Sequence, residues 1–187
     1  MLENKRINPI DCWEAFLLGN EYGLECLVRA YGDSLVRFAY CYVKDSVAAE
    51  EMMEDAFAAL VFKRKRFVQG DNLRAYLYKT VRNNCLNYLR AHKRKIPLAD
   101  VEHILCAADG EDDLLRRDNA RALYCCMQKL PPQYAEILYL TYFENHSVEE
   151  LCRILKHSKK QIYNLLYRAK LSLKELLIKE GISYEDL

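Results

Sequence analysis

The sequence predicts an all-α protein built as two small helical domains joined by an acidic linker. Apolar residues recur three and four apart over several long stretches, the spacing that gives a helix one buried face. Only 6 glycines and 4 prolines occur in 187 residues, too few for a turn-dense sheet fold. Charge is also segregated. Between residues 61 and 95 eleven basic side chains face one acid, Asp71, whereas between 96 and 120 seven acids face only Arg116 and Arg117. The chain length suits one domain or two small ones. Its 51% apolar and 29% charged content is the balance of a globular chain with a core.

The elements follow in order. A short amphipathic stretch from Cys12 to Leu18, carrying Trp13 and Phe16, is expected to pack onto a three-helix bundle. Leu24, Leu27, Val28, Tyr31, Leu35, Phe38 and Tyr42 define the first helix of that bundle, and Met52, Met53, Ala56, Phe57 and Leu60 the second. The third has Leu73, Tyr76, Leu77, Thr80, Val81, Asn84, Cys85, Tyr88 and Leu89 on one face, with Arg74, Lys79, Arg82, Asn83, Asn87 and Arg90 largely off it. Its net charge of opposite sense to the linker makes this a surface for a polyanion.

Pro97, Gly110 and the missing apolar stripe before Leu114 mark residues 96–120 as a tether. The boundaries are therefore 1–95, 96–120 and 121–187. In the last segment Pro131 and Pro132 suit a helix entry, where no intrahelical donor is lost, and a helix from about Gln133 to Phe143 follows. Ser147 and Glu150 make a capping box ahead of a short helix with Val148, Leu151, Ile154 and Leu155 on one side. Ser158 caps a longer helix whose Ile162, Leu165, Leu166, Ala169, Leu173 and Leu176 point inward while Lys159, Lys160, Gln161, Asn164 and Arg168 face out. Helix, turn, helix with a polar leading edge is the geometry that enters a major groove.

The run LPPQYAEILYLTYFENHSVEELCRILKHSKKQIYNLLYRAKLSLKELL from Leu130 resembles the fourth region of bacterial sigma factors of the extracytoplasmic-function type, within the sigma-seventy family. Upstream, Ala49 to Phe57 resembles that family's polymerase-binding helix, and Arg74 to Arg90 its promoter-opening helix. Two motif blocks in the family's order carry more weight than a helix-turn-helix alone.

The resemblance implies a sigma region two domain and a sigma region four domain, with no cofactor and no chemistry of its own. It implies core RNA polymerase, promoter DNA as duplex and as melted single strand, and an anti-sigma protein as partners. Glu50, Glu51, Glu54, Asp55 and Phe57 would meet polymerase, with Glu54 standing where the family usually has glutamine. Lys63, Lys65, Arg66, Asn72, Arg74, Tyr78, Arg82, Asn83, Asn87 and Arg90 would handle the minus-ten element. The loop from Val68 to Asn72 would form the pocket for a flipped base. Asn72 has two readings here, base reader or helix N-cap. Tyr76, in place of the usual tryptophan, lies on the apolar stripe, whereas Tyr78 lies off it and is freer to stack.

Ser158, Lys159, Lys160, Gln161, Tyr163, Asn164 and Arg168 would meet the minus-thirty-five element, with Gln161 and Asn164 able to pair bidentately with adenine. Lys156 replaces the family's glycine in the turn, and Tyr163 and Leu165 replace polar or basic residues. With both domains using exposed faces for partners, the free chain is expected to hide those faces against each other across the linker.

Other classes fit less well. The eight cysteines show no Cys-x-x-Cys pair, and His92, His103, His146 and His157 have no partner at ligand or catalytic spacing. A carboxylate metal site on the Glu50 to Asp55 helix lacks the Glu-x-x-His it would need. No Gly-rich phosphate loop and no Ser/His/Asp set occurs, so an enzyme is not expected. The first nine residues are charged where a leader would be apolar, and no apolar run approaches bilayer length. A cytoplasmic protein without membrane insertion is expected. The binding-module rival is a regulator that reads duplex DNA through the same helix-turn-helix without polymerase.

Overall fold

Asn8 and Pro9 open the first helix, α1 (Pro9–Leu17), because the Asn8 side chain accepts from the Ile10 amide at 3.2 Å and proline loses no donor there. The computed structural model describes residues 8–67, 70–92 and 123–179. The expected acidic tether over 96–120 lies outside them.

Helix α1 lies across α2 (Tyr22–Val43). The crossing is close at Gly23, where a Cβ would stand 2.2 Å from the Cys12 carbonyl oxygen, so only glycine fits. Trp13 is fully buried, stacks on Phe16 with centroids 5.3 Å apart, and donates its indole N–H to the Lys65 carbonyl at 2.7 Å. That bond ties α1 to the segment after α3 (Ser46–Lys63). Helix α3 follows α2 through Lys44 and Asp45 alone. Lys44 takes the left-handed conformation that ends α2, and the Asp45 carboxylate caps α3 by accepting from the Ala48 amide at 2.9 Å. Helix α4 (Gly70–Ala91) completes the bundle, burying Leu73, Leu77, Val81 and Cys85 as the spacing requires.

In the second half a helical stretch over 123–128, α5, leads through Leu130 into α6 (Pro132–Leu138). The helix does not stay α to Phe143. Residues Tyr139–Phe143 widen into π winding, closed by the Glu144 amide on the Tyr139 carbonyl at 3.2 Å. Thr141 Oγ1 also donates back to the Ile137 carbonyl, a bond that competes with regular winding. The extra residue per turn buries both Tyr139 and Leu140. Helix α7 (Val148–Leu155) carries the expected Ser147/Glu150 capping box, and α8 (Lys159–Lys179) packs on α6 and α7 through Ile162, Ala169, Leu173 and Leu177.

Between α7 and α8, Lys156 sits at φ 57° and ψ 43°. A side chain in that left-handed region carries about 1 kcal/mol of steric cost. Lys156→Gly is therefore expected to raise stability by roughly 0.5–1 kcal/mol, read as a higher denaturant midpoint at unchanged slope.

All described elements are helical, and they form two domains packed directly against each other. Helices α2 and α4 receive α6, the π turn and α7. Tyr124 donates to the Arg37 carbonyl at 2.8 Å, and the Tyr139 hydroxyl lies 3.1 Å from the Ser34 carbonyl oxygen and 3.1 Å from Glu144 Oε1. Around Tyr139 stand Phe38, Tyr124 and Phe143, the last stacked within 9° of parallel. This buried aromatic layer is the centre of the junction.

Candidate nucleic-acid interface

Three faces carry the residues that the sequence singles out. On α3, Glu50, Glu51, Glu54 and Asp55 are exposed, whereas Phe57 points into the bundle and is 5% exposed. Phe57 is thus a core residue, contrary to its expected place at a polymerase contact, because it shares the inward face with Met52, Ala56 and Leu60.

The second face lies where α4 begins. Lys65, Arg66, Phe67, Asn72, Ala75, Tyr76, Lys79 and Arg153 line a cleft of about 370 Å³. Phe67 and Tyr76 lean together with centroids 5.5 Å apart, and the Lys65 ammonium stands over both rings. Gly70 to Asn72 belong to α4 rather than to a loop, so Asn72 is not the N-cap. Its Oδ1 accepts from the Arg153 guanidinium.

Tyr76 keeps its expected packing on the core while also edging the cleft, whereas Tyr78 departs from the sequence expectation. Tyr76 lines the cleft, while Tyr78 is fully buried, edge-on to Phe38 at 5.2 Å and to His146 at 4.9 Å. Tyr78 is therefore corrected from a stacking residue to a junction residue. It does lie off the bundle's own stripe, and Phe38 of α2 covers it on one side and His146 of the second domain on another.

Arg74 and Arg82 are covered in the same way. Arg74 Nη2 lies 3.1 Å from Glu144 Oε2 and also bonds the Glu144 carbonyl. Arg82 Nε donates to Glu136 Oε2 at 2.9 Å, with the two side chains 17% and 3% exposed. Burial pushes the Glu136 carboxyl up to about 8 and the Arg82 guanidinium down. Desolvation thus works against the charge on both partners, and what joins them is the hydrogen bond between Nε and Oε2. Burial, and then the Arg74 charge, likewise lower the His146 imidazole below its ordinary range. Lys63, Lys65, Arg66, Asn83, Asn87 and Arg90 are exposed.

The third face is the start of α8. Ser158, Lys159, Lys160, Gln161, Tyr163, Asn164 and Arg168 are all exposed. Gln161 has a local task, since its carboxamide oxygen accepts from the Ser158 amide at 2.8 Å while its own amide donates to Ser158 Oγ at 3.3 Å. That is a second capping box. Lys159 pairs with Glu149 across the turn. Asn164, one turn on, shares a shallow groove with Gln133, Tyr134, His157, Leu165 and Arg168.

Among the described residues no group of three or more His, Cys, Asp or Glu side chains is placed to hold a metal ion. Burial raises the Cys41 and Cys85 thiols to about 11 and about 12, so both behave as small core residues. No helix among the described residues is long and apolar enough to cross a membrane.

Sequence comparison finds the Sigma-70 region 2 family over residues 27–95 and the Sigma-70 region 4 family over residues 120–173. SigV of Bacillus subtilis is 25% identical over 147 residues, which are 79% of this chain and 86% of that one. The sigma-E factor of Streptomyces coelicolor is 28% identical over 172 residues, 91% of this chain and 94% of that one. Among solved structures, CnrH in complex with the cytosolic domain of CnrY superposes with a TM-score of 0.66 at 19% identity, covering 92% of this chain and 99% of that one. The sigma factor RpoE of Bartonella quintana, solved with the anti-sigma factor NepR, gives 0.62 at 20% identity, covering 82% and 95%. A region 2 bundle followed by a region 4 helix-turn-helix defines a transcription initiation factor rather than a lone duplex reader. The chain belongs to the sigma-70 family of RNA polymerase sigma factors, extracytoplasmic-function type.

Proposed function

We propose that this sigma factor, which binds core RNA polymerase and directs promoter-specific transcription initiation, divides that work among the three faces. Residues 1–95 form the polymerase-binding and minus-ten domain, 96–120 the acidic tether through polymerase, and 121–187 the minus-thirty-five domain. The exposed acids Glu50, Glu51, Glu54 and Asp55 dock on a basic partner surface. The cleft at the start of α4 takes an unstacked base against Phe67 and Tyr76, with Asn72 reading its edge. Arg74, Arg82 and Arg90 hold the backbone of the melted strand, joined by Lys63, Lys65, Arg66, Asn83 and Asn87.

In the second domain Lys159, Lys160 and Arg168 hold phosphates, while Asn164 and Tyr163 reach base edges. Gln161 serves first to start the helix. The protein works in the cytoplasm, has no catalytic group of its own, and is held inactive by an anti-sigma protein. That partner class is supported by the similarity to the sigma factor RpoE, solved with the anti-sigma factor NepR.

The observation that carries this reading is the order of the two regions together with an acidic α3 face left open to solvent. Charge reversal on that face tests it. Glu50→Lys with Glu54→Lys is expected to weaken binding to core polymerase roughly tenfold at low salt, with a smaller difference at high salt. Unchanged binding would remove α3 from the polymerase contact.

A further inference from the structure

We propose that Cys12 and Cys26 are a redox-active dithiol pair, which hydrogen peroxide oxidises to a disulfide that staples α1 onto α2. Helices ordinarily pack roughly 8–10 Å apart. Here the two backbones meet at Gly23, where an added Cβ would lie 2.2 Å from the Cys12 carbonyl oxygen and 2.8 Å from the Phe16 amide nitrogen. Cys26 stands one helical turn beyond Gly23 on the same side of α2, so the crossing carries its side chain to Cys12. A hydrogen bond joins the two thiols. Side chains that leave so close a crossing towards each other are within the reach a disulfide requires. Both cysteines are free in this structure.

The two members differ in access. Cys26 is half-buried and meets the oxidant first, whereas Cys12 is 7% exposed and answers it. Burial, and then the neighbouring Cys26, raise the Cys12 thiol above its ordinary range, as suits the second of the two to react. The Cys26 sulfur attacks one peroxide oxygen, the O–O bond breaks, and hydroxide leaves with the thiol proton as water. Cys26 is then a sulfenic acid. The Cys12 sulfur attacks that sulfur, the S–O bond breaks, and a second hydroxide leaves with the Cys12 proton as water. Two thiols and one peroxide become one disulfide and two waters, and a dithiol reductant reverses the oxidation. Cys41 and Cys85 are a different case, because both are fully buried against the carbonyls of Arg37 and Ala39, where no oxidant reaches them. The staple acts beyond α1 itself. Trp13 holds the Lys65 carbonyl at 2.7 Å and the Leu17 carbonyl accepts from Arg64 at 3.2 Å, so fixing α1 also fixes the segment that borders the cleft at the start of α4.

The test treats the full chain with hydrogen peroxide in the folded state, then unfolds it, alkylates it with iodoacetamide and digests it for mass spectrometry. Labelling of Cys12 and Cys26 is expected to fall roughly tenfold, and that of Cys41 and Cys85 less than about twofold. A peptide joining Cys12 to Cys26 within one chain should appear, and dithiothreitol should remove it. Fluorescence of Trp13, the single tryptophan, follows α1, and its thermal unfolding midpoint should stand about 5 °C higher in the oxidised chain. In Cys26→Ser peroxide should leave that midpoint unmoved. Unchanged labelling overturns the proposal, as does a bridge between two chains, a bridge from either residue to another cysteine, or a sulfenic acid that persists on Cys26 and is trapped by dimedone. So does a Trp13 midpoint that ignores the bridge, or one that rises as much in Cys26→Ser.

Discussion

Replacing Arg82 with alanine is expected to cost about 1–3 kcal/mol, the loss typical when a buried polar group is left without its hydrogen-bond partner. The reason lies on the other side of the junction. Glu136 is 3% exposed, burial has already raised its carboxyl to about 8, and Arg82 Nε is its hydrogen-bond donor at 2.9 Å. The chain has a cheaper response than unfolding, because parting the two domains returns Glu136 to water. The loss should therefore appear first as undocking. Trp13 reports the first domain alone, while circular dichroism reports helices of both. In the unaltered chain the two denaturant transitions are expected to coincide, and in Arg82→Ala to separate. Arg82→Met combined with Glu136→Leu removes both charges and should bring them back together, since an apolar pair of similar volume replaces a buried ion pair at little cost.

The second large effect is expected at Tyr139. Its ring is fully buried among Phe38, Tyr124 and Phe143, and its hydroxyl stands beside Ser34, Arg37 and Glu144. Tyr139→Ala leaves a ring-sized cavity at the junction and should lower stability by about 3–5 kcal/mol. Tyr139→Phe keeps the ring and strands only the hydroxyl's partners, for which about 1–2 kcal/mol is the expected loss. Denaturant midpoints of the two variants check both numbers. Near-equal losses would mean that the hydroxyl, not the packing, carries the contribution of this residue.

The sequence made the helices readable because their determinants are local. Apolar spacing placed α2, α3, α4, α7 and α8, and Ser147 with Glu150 placed the start of α7 to the residue. Lys156 was legible as a strained turn from the missing glycine, and its φ of 57° bears that out. The misreadings have one common cause, which is that a helix has as many faces as it has neighbours. Tyr78 lies off the stripe that packs in the first bundle, so spacing within α4 assigns it to solvent, yet Phe38 of α2 and His146 of the second domain together cover it. Phe57 sits within the acidic polymerase motif, but its position on α3 falls on the inward face beside Ala56 and Leu60. Gln161 has the side chain of a base reader and also that of a capping box, and the amide of Ser158 is the nearer partner. One signal of the junction was present and could have been used. Glu136 falls between Ala135 and Ile137 in a stretch with no other charge, where a buried carboxylate needs a cation from elsewhere in the fold.

The π turn had no such signal. Nothing in the run from Tyr139 to Phe143 distinguishes it from ordinary helix, and the widening follows from the need to bury Tyr139 and Leu140 together against another domain. The division of the candidate site is likewise invisible to spacing. Sequence placed Arg74 and Arg82 on the basic side of α4 and Asn72 in a loop ahead of it, but only the fold brings Glu144, Glu136 and Arg153 opposite them.

The measurement that tests the central claim most directly is transcription from a promoter library by core polymerase with and without this protein, followed by sequencing of the transcript starts. The expected result is a new set of starts sharing two upstream elements, with Asn72→Ala relaxing the sequence requirement at the nearer element and Asn164→Ala at the farther one. No new starts, with the protein binding duplex DNA by itself, would contradict the account.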